Sequence, residues 1–322
     1  MRVLITGIAG FVGRHLADYL SDKKEVEIFG TCRRSKPAAL RGARVRLVTC
    51  DLLDESAIAR ALKACKPERI FHLAAQASVA ESWTSPRQTF EQNVFGTMKL
   101  LDAVRWARLD PKILVAGSAE EYGPLGAAYA GEDAPMRPLK PCAVSKAAQD
   151  LLVYQYFRTF RLKIVRTRAF NHSGPGQSDR FAASNFARQV ALIEAGLQKP
   201  AVRVGNLSTI RDFIDVRDVV RAYWLALEKG AAGEAYNVCS GKGRRIREIL
   251  DFYRLESVVK FRVERDRARL RPVDVPRLVG DPRKFKSRTG WRPLISFEKM
   301  LADLLDYWRY NIRLQPLNDG KE

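Results

Sequence analysis

Three glycines, Gly7, Gly10 and Gly13, constrain this 322-residue chain more than any other feature. They stand within Arg2 to Leu20, RVLITGIAGFVGRHLADYL, directly behind the apolar run Val3, Leu4 and Ile5, which reads as a buried parallel strand. Behind the glycines, Leu16, Tyr19 and Leu20 fall on one face of an amphipathic helix. Strand, glycine turn and helix in that order bring a dinucleotide pyrophosphate onto bare backbone N–H groups at a helix N-terminus. Side chains on those glycines would hold the phosphates off. A glycine-rich turn can also bind nothing. Its place here, straight after a strand and opening a helix, is what favours a nucleotide.

The chain is long enough to bury a sizeable core, so one large or two moderate domains are expected. No apolar run reaches the ~18 residues of a membrane helix. The first strand starts at once, so no signal peptide is expected and the protein reads as cytoplasmic. Five scattered cysteines without a C-x-x-C pair, and only three histidines, point to neither a disulfide framework nor a metal site. The net charge of +20 favours anionic partners such as nucleotides and sugar nucleotides. From Lys260 to Arg292 there are twelve Lys/Arg against four Asp/Glu, a basic stretch that suits an anionic substrate's cleft or a solvated surface. Nucleic acid is not expected as a partner.

Val26–Thr31 reads as a second strand. After such a strand an acid serves the ribose of NAD, and arginine serves the 2′-phosphate of NADP. Here Arg33 and Arg34 follow Cys32, which favours NADP. Val45–Thr49 is a third strand, with Asp51 near its end, where it can meet the adenine. A helix is expected over Ser56–Ala64, and a fourth strand over Ile70–Ala75, whose small terminal residues let a cofactor lie against the sheet edge. The spacing predicts a helix over Phe90–Ala107, a fifth strand over Ile113–Ala116, a helix over Val144–Phe160 and a sixth strand over Ile164–Arg168. This alternation specifies a doubly wound parallel sheet. Asn171–Asp179 reads as a loop at the carboxyl edge. A helix over Asn185–Ala195 and a strand over Val202–Val204 follow. Asp212–Lys229, strand then helix, and Ala235–Val238 are expected to return to the main sheet. Residues 1–171 and 209–240 therefore form one domain. Residues 172–208 and 241–322 form a smaller α/β substrate domain sharing a cleft with it.

The motifs TGIAGFVG at 6–13, HLAA at 72–75, QNVFGT around Asn93, SAEEYG at 118–123, Ser145-Lys146 and RDFIDVRD at 211–218 resemble the extended short-chain dehydrogenase/reductases acting on sugar nucleotides. AESWTSP at 80–86, FNHSGPGQ at 170–177, RVGNLSTIRDF at 203–213, YNVCSG at 236–241, LRPVDVP at 270–276 and TGWRP at 289–293 are most similar to GDP-4-dehydro-6-deoxy-mannose reductases, with GDP-mannose 4,6-dehydratases as near relatives. The resemblance implies a Rossmann-type α/β fold, a homodimer, and NADPH-dependent reduction of the C4 ketone of a GDP-linked 4-keto-6-deoxy-hexose. It implies a cofactor held by Gly7, Gly10, Phe11, Val12, Gly13, Arg33, Arg34, Asp51, Leu52, Leu73, Ala74, Ala75 and Lys146. It places Ser78, Asn93, Asn171, Arg203, Arg211, Arg271 and Asp274 around the substrate.

The family's reaction uses a Ser or Thr, a Tyr and a Lys. Hydride arriving at a carbonyl builds an oxyanion, which needs a hydrogen-bond donor and then a proton. Ser118 and Lys146 match the first and third positions. The tyrosine belongs four residues before the lysine, where this chain has Cys142: PCAVSK stands for PYxxSK. A thiol beside an ammonium can be proton-active. Its sulfur reaches far less than a phenol oxygen, so it needs a bridging water. Three readings follow: Cys142 with water gives the proton; another group serves, Glu120 or Tyr122, or Ser118 acts alone and slowly; or the site is altered. Glu120 matches the base of the dehydratases. A dehydratase or epimerase with retained NADP is therefore the rival reading, and a non-catalytic nucleotide-sugar or RNA-binding protein is the other.

Overall fold

Alternation along the first strand decides the layering. Val3 and Ile5 point into one apolar cluster and Leu4 into another, on opposite faces of one sheet. The computed structural model describes residues 1–33 and 44–314. The chain opens with β1 (Arg2–Thr6), α1 (Phe11–Ser21), β2 (Glu27–Cys32), β3 (Val45–Thr49), α2 (Glu55–Cys65) and β4 (Arg69–His72). Helices α3 (Val79–Thr84), α4 (Pro86–Phe90) and α5 (Gly96–Trp106) lead to β5 (Lys112–Ser118), and α6 (Pro141–Phe160) leads to β6 (Ile164–Ala169). Next come β7 (Asn171–Ser173), α7 (Ala182–Glu194), β8 (Ala201–Val204), β9 (Ile210–Asp215), α8 (Val216–Lys229) and β10 (Ala235–Val238). The described chain closes with β11 (Gly243–Arg245), α9 (Ile246–Glu256), β12 (Arg262–Arg265), β13 (Arg277–Leu278), α10 (Arg283–Thr289) and α11 (Phe297–Arg313).

The main sheet has seven strands in the order β10-β6-β5-β4-β1-β2-β3, every neighbour parallel. The chain runs outward from β1 to β3, then crosses back to β4 on the other side of β1. That reversal makes the carboxyl ends of β1 and β4 the place where a ligand can enter between diverging loops. Helices α1 and α8 cover one face of the sheet, and α2, α5 and α6 the other. The local signals are ordinary. Asp54 caps α2 by accepting from the Ser56 and Ala57 N–H groups, and Pro141 starts α6.

Several expectations shift. The fourth strand ends at His72, leaving 73–75 as extended chain. The helix expected from Phe90 begins at Pro86 and is π-helical over Glu91–Phe95. The helix expected from Val144 begins at Pro141, so Cys142 lies inside it. Asn171–Ser173, expected in a loop, forms β7. Strand β9 does not return to the main sheet. It centres a second sheet, pairing with β11, β13 and β7, and only β10 joins the first. The reason lies in its side chains. Arg211, Asp212 and Asp215 are buried and polar, and they take their partners from Asp274, from Ser240 just after β10 and from the start of α8. Asp212 accepts from Ser240 N–H and Gly241 N–H, both at 2.8 Å.

The second lobe packs α7, α9 and α11 over β8, which pairs with β12. The segment after residue 241 also reaches back to the first core. Phe285 and Trp291 lie in the same cluster as Val3 and Ile5. Trp291 packs on Phe285 at 5.5 Å and donates its indole N–H to the Asp218 carbonyl at 3.1 Å. Trp291→Ala removes that anchor and is expected to cost about 3–5 kcal/mol of stability. Urea denaturation checks this; a loss below about 1 kcal/mol, the range of unremarkable surface changes, would contradict the packing described.

Candidate active site

The glycine turn is built by close approach. Gly7 has φ +72°, and a Cβ there would lie 2.8 Å from the Ala74 Cα. A Cβ on Gly13 would lie 2.5 Å from the Gly7 carbonyl oxygen. Gly10 caps α1 with no side-chain acceptor, and no acid stands in its first turn. The helix thus presents free N–H groups and the positive end of its dipole. Phe11 and Val12 are half-buried beside this turn, as are Leu73, Ala74 and Ala75 opposite it. The glycine-proline loop closes over the same helix. Arg14 donates to the Gly176 carbonyl at 3.0 Å, His15 to that of Pro175 at 2.8 Å, and Phe11 stacks on His172. Arg33 is exposed at the end of β2, while Arg34 lies outside the described residues. Asp51 is exposed and Leu52 half-buried after β3.

A buried polar chain runs from this turn to Lys146. Thr6 Oγ1 and His72 Nδ1 are 2.8 Å apart, His72 Nε2 and Thr97 Oγ1 2.8 Å. Gln149 donates its amide N–H groups to Thr97 Oγ1 at 2.6 Å and to the Asn93 carbonyl at 3.0 Å. Lys146 Nζ donates to Gln149 Oε1 at 2.8 Å and to the Ala116 carbonyl at 2.7 Å. The protons follow by elimination. The Thr97 hydroxyl gives its hydrogen to the Asn93 carbonyl at 2.7 Å, so His72 Nε2 must carry one. Burial pushes the imidazole down to about 3, keeping it neutral, so Nδ1 accepts from Thr6. The Thr6 oxygen then accepts the Ala74 N–H at 3.2 Å. Two of the three Lys146 donors are used by described residues, which leaves one for a ligand.

Ser118 and Lys146 meet at the carboxyl end of β5, since Lys146 is held by Ala116 of that strand. Cys142 lies one turn before Lys146 on α6 and is buried. Ser118 Oγ accepts the Glu120 N–H at 3.2 Å. Glu120 is ion-paired with Lys140 at 2.8 Å. Its neighbour Glu121 is fully buried, accepts the Ser118 N–H at 2.6 Å and pairs with Arg168 at 3.3 Å. Burial raises the Glu121 carboxyl and lowers the Lys146 ammonium, while their mutual attraction opposes both shifts. Gly117 makes room for this carboxylate: a Cβ there would lie 2.6 Å from Oε1. Tyr122 does not face a ligand. It is buried, donates its hydroxyl to Asn237 at 2.7 Å and accepts from Arg168 at 3.0 Å.

Some residues expected at the substrate do other work. Asn93 is fully buried, and its amide is spent on Gln76 and on Ser145 Oγ at 2.9 Å. It ties α6 to the chain after β4. Arg211 is buried and donates to Asp274 at 2.9 Å. Ser78 caps α3. Arg203, Arg271 and Asn171 are exposed and open to a ligand. Three residues of the site escape the motif reading: Glu121, Gln149 and Arg168. A signal existed for Gln149, which stands three residues after Lys146 on one helix face. Nothing in SAEEYG says which glutamate turns inward.

A family model described as GDP-mannose 4,6 dehydratase matches residues 4–304. GDP-6-deoxy-D-mannose reductase of Pseudomonas aeruginosa is 34% identical, over 97% of this chain and 98% of the relative. GDP-mannose 4,6 dehydratase 2 of Arabidopsis thaliana is 33% identical, over 94% of this chain and 85% of the relative. Among solved structures, RMD of Pseudomonas aeruginosa complexed with NADPH has a TM-score of 0.84 at 32% identity, covering 97% of this chain and 100% of that one. The Thermus thermophilus UDP-glucose 4-epimerase complex with NAD has a TM-score of 0.85 at 31% identity, covering 96% and 99%.

His72 makes the buried chain measurable. Between about 3 and its ordinary 6.5 the unfolded chain binds a proton that the native protein does not, so His72 lends stability at neutral pH that is lost as pH falls. Asp212, raised by burial to about 6, tilts stability the other way over part of that window, so the difference between two proteins is the observable. The stability margin of the natural chain over His72→Gln is expected to shrink by up to about 1.4 kcal/mol per pH unit from pH 6 to 4. Urea titrations at each pH test this; a constant margin contradicts the neutral buried imidazole.

Proposed function

The chain belongs to the GDP-mannose 4,6-dehydratase family of extended short-chain dehydrogenase/reductases, and on that premise we propose that it is an NADPH-dependent reductase of the C4 ketone of a GDP-linked 4-keto-6-deoxy-hexose. What carries the reading is end-to-end correspondence with a reductase, 98% of whose length is covered, against 85% for the plant dehydratase. The state of Glu120 supports it. The carboxylate that would act as base in an elimination accepts a hydrogen bond from Lys140 at 2.8 Å. The similar identity of the dehydratases keeps dehydration with a recycled hydride as the second reading.

The residues present fit the cofactor. Gly7 and Gly13 leave a cradle that a Cβ would fill, and α1 offers uncapped N–H groups to the pyrophosphate. Arg33 suits the 2′-phosphate. NADPH, when bound, supplies the hydride. Ser118 orients the sugar carbonyl through its hydroxyl, and the free donor of Lys146 holds the nicotinamide ribose. Arg203 and Arg271 serve the sugar nucleotide's diphosphate. We read the chain as a cytoplasmic homodimer: Val144, Leu151 and Tyr154 lie exposed along one face of α6, with exposed Phe95 and Trp106 on the neighbouring helical run. Among the described residues no helix is long and apolar enough to cross a membrane.

Purified protein is expected to oxidise NADPH with the GDP-4-keto-6-deoxy sugar and to leave GDP-mannose intact. Binding of neither NADP(H) nor a GDP-sugar overturns the assignment. Cys142→Tyr restores a positioned phenol and is expected to raise turnover at least about tenfold. No gain in a folded variant means that the site has moved to other chemistry. Leu151→Arg should yield monomers in sedimentation velocity; an unchanged species would refute the α6 interface.

A further inference from the structure

The missing phenol leaves the reduction without its usual proton source, and the Glu120 carboxylate of the site is paired with a buried cation. Lys140 is the N-cap residue of α6, two residues before Cys142, and its side chain is only 4% exposed. Burying an ammonium is costly unless it is paired. The one ion-pair partner found for it among the described residues is Glu120, at 2.8 Å, and Glu120 is 22% exposed. The Glu120 backbone N–H donates to Ser118 Oγ. Lys140 is therefore tethered to the residue that touches the Ser118 hydroxyl. It stands at the same end of α6 as Cys142, the position where the relatives' motif has a tyrosine.

Resting on the reductase reading above, we propose that Lys140 is the general acid of this chain and Glu120 its positioning residue. As hydride from the reduced nicotinamide adds to C4, the carbonyl π pair moves to oxygen. That oxygen takes a proton from the Lys140 ammonium and becomes the hydroxyl. The nicotinamide is left oxidised and Lys140 a neutral amine. Solvent, which reaches the pair beside the partly exposed Glu120, returns a proton to the amine and restores the ammonium. One hydride and one proton enter each sugar.

Lys140→Met is expected to lower kcat at least about thirtyfold, the scale of a lost general acid. Calorimetric affinity for the GDP-6-deoxy-hexose product should change less than about threefold, since the proton moves only in the transition state. Methylamine should restore part of the turnover of Lys140→Ala. In a Cys142→Tyr background the loss caused by Lys140→Met should be at least about tenfold smaller, because the phenol and the ammonium do the same task. Equal losses in both backgrounds, or product affinity lost along with turnover, assign Lys140 a structural role and overturn the proposal. Turnover unchanged in Lys140→Met also overturns it, while leaving the reductase reading intact. If neither the natural chain nor Cys142→Tyr reduces the keto-sugar, the reductase reading fails and the proposal with it.

Discussion

The buried chain from Thr6 through His72, Thr97 and Gln149 to Lys146 sets where the chemistry can happen. Its members come from four elements, β1, β4, α5 and α6, the last giving both Gln149 and Lys146, with Ala116 of β5 taking the last bond. From Thr6 to Gln149 every donor along it has an acceptor, and only Lys146 keeps a donor to spare; a polar network inside a core rigidifies rather than destabilises when it is satisfied in this way. It also links two functions physically. The Thr6 hydroxyl that donates to His72 Nδ1 also accepts the Ala74 N–H, and Ala74 is the backbone against which Gly7 packs. The pyrophosphate turn and the lysine are therefore parts of one rigid unit.

How much of this was legible in the sequence depends on what each residue packs against. The strands of the main sheet are short apolar runs buried on both faces, and local pattern suffices to find them. β9 is different. Its buried Arg211 and Asp212 have partners in distant segments, and only those segments explain why it leaves the main sheet. β7 hides because Asn171–Ser173 precede a glycine-proline turn that dominates the local signal. Motif matching locates Ser118, Lys146 and the glycines. It leaves the division of labour between the acids open because Glu120 and Glu121 are adjacent in a short turn, where a rotation of one residue exchanges inside for outside. Asn93 and Tyr122 carry a related ambiguity: a polar or aromatic residue in a site motif can face the ligand or hold the scaffold behind it, and here both are buried and bonded to the scaffold.

The substitution at 142 is thus an event inside an otherwise coherent site. Helix α6 still starts at Pro141, Ser145 still binds Asn93, and Lys146 still reaches β5. What changes is reach: a thiol one bond from Cβ replaces an oxygen at the far end of a ring. The Glu120–Lys140 pair lies beside that gap. An acid two residues after the serine serves as base in the elimination-type relatives that the sequence resembles. In this chain that carboxylate is paired with the buried Lys140, which is what the reductase reading proposed above draws on. The basic balance of the chain is consistent with a phosphate-rich ligand at both ends of the site, and it requires no nucleic acid.

In the reaction proposed above, hydride passes once, from cofactor to C4 of the sugar, with net consumption of the reductant. Nuclear magnetic resonance of product made with NADPH deuterated at nicotinamide C4 tests this directly. Deuterium on C4 of the 6-deoxy-hexose, with one oxidised cofactor per sugar, is the predicted result. Unconsumed cofactor together with water lost from GDP-mannose would contradict it.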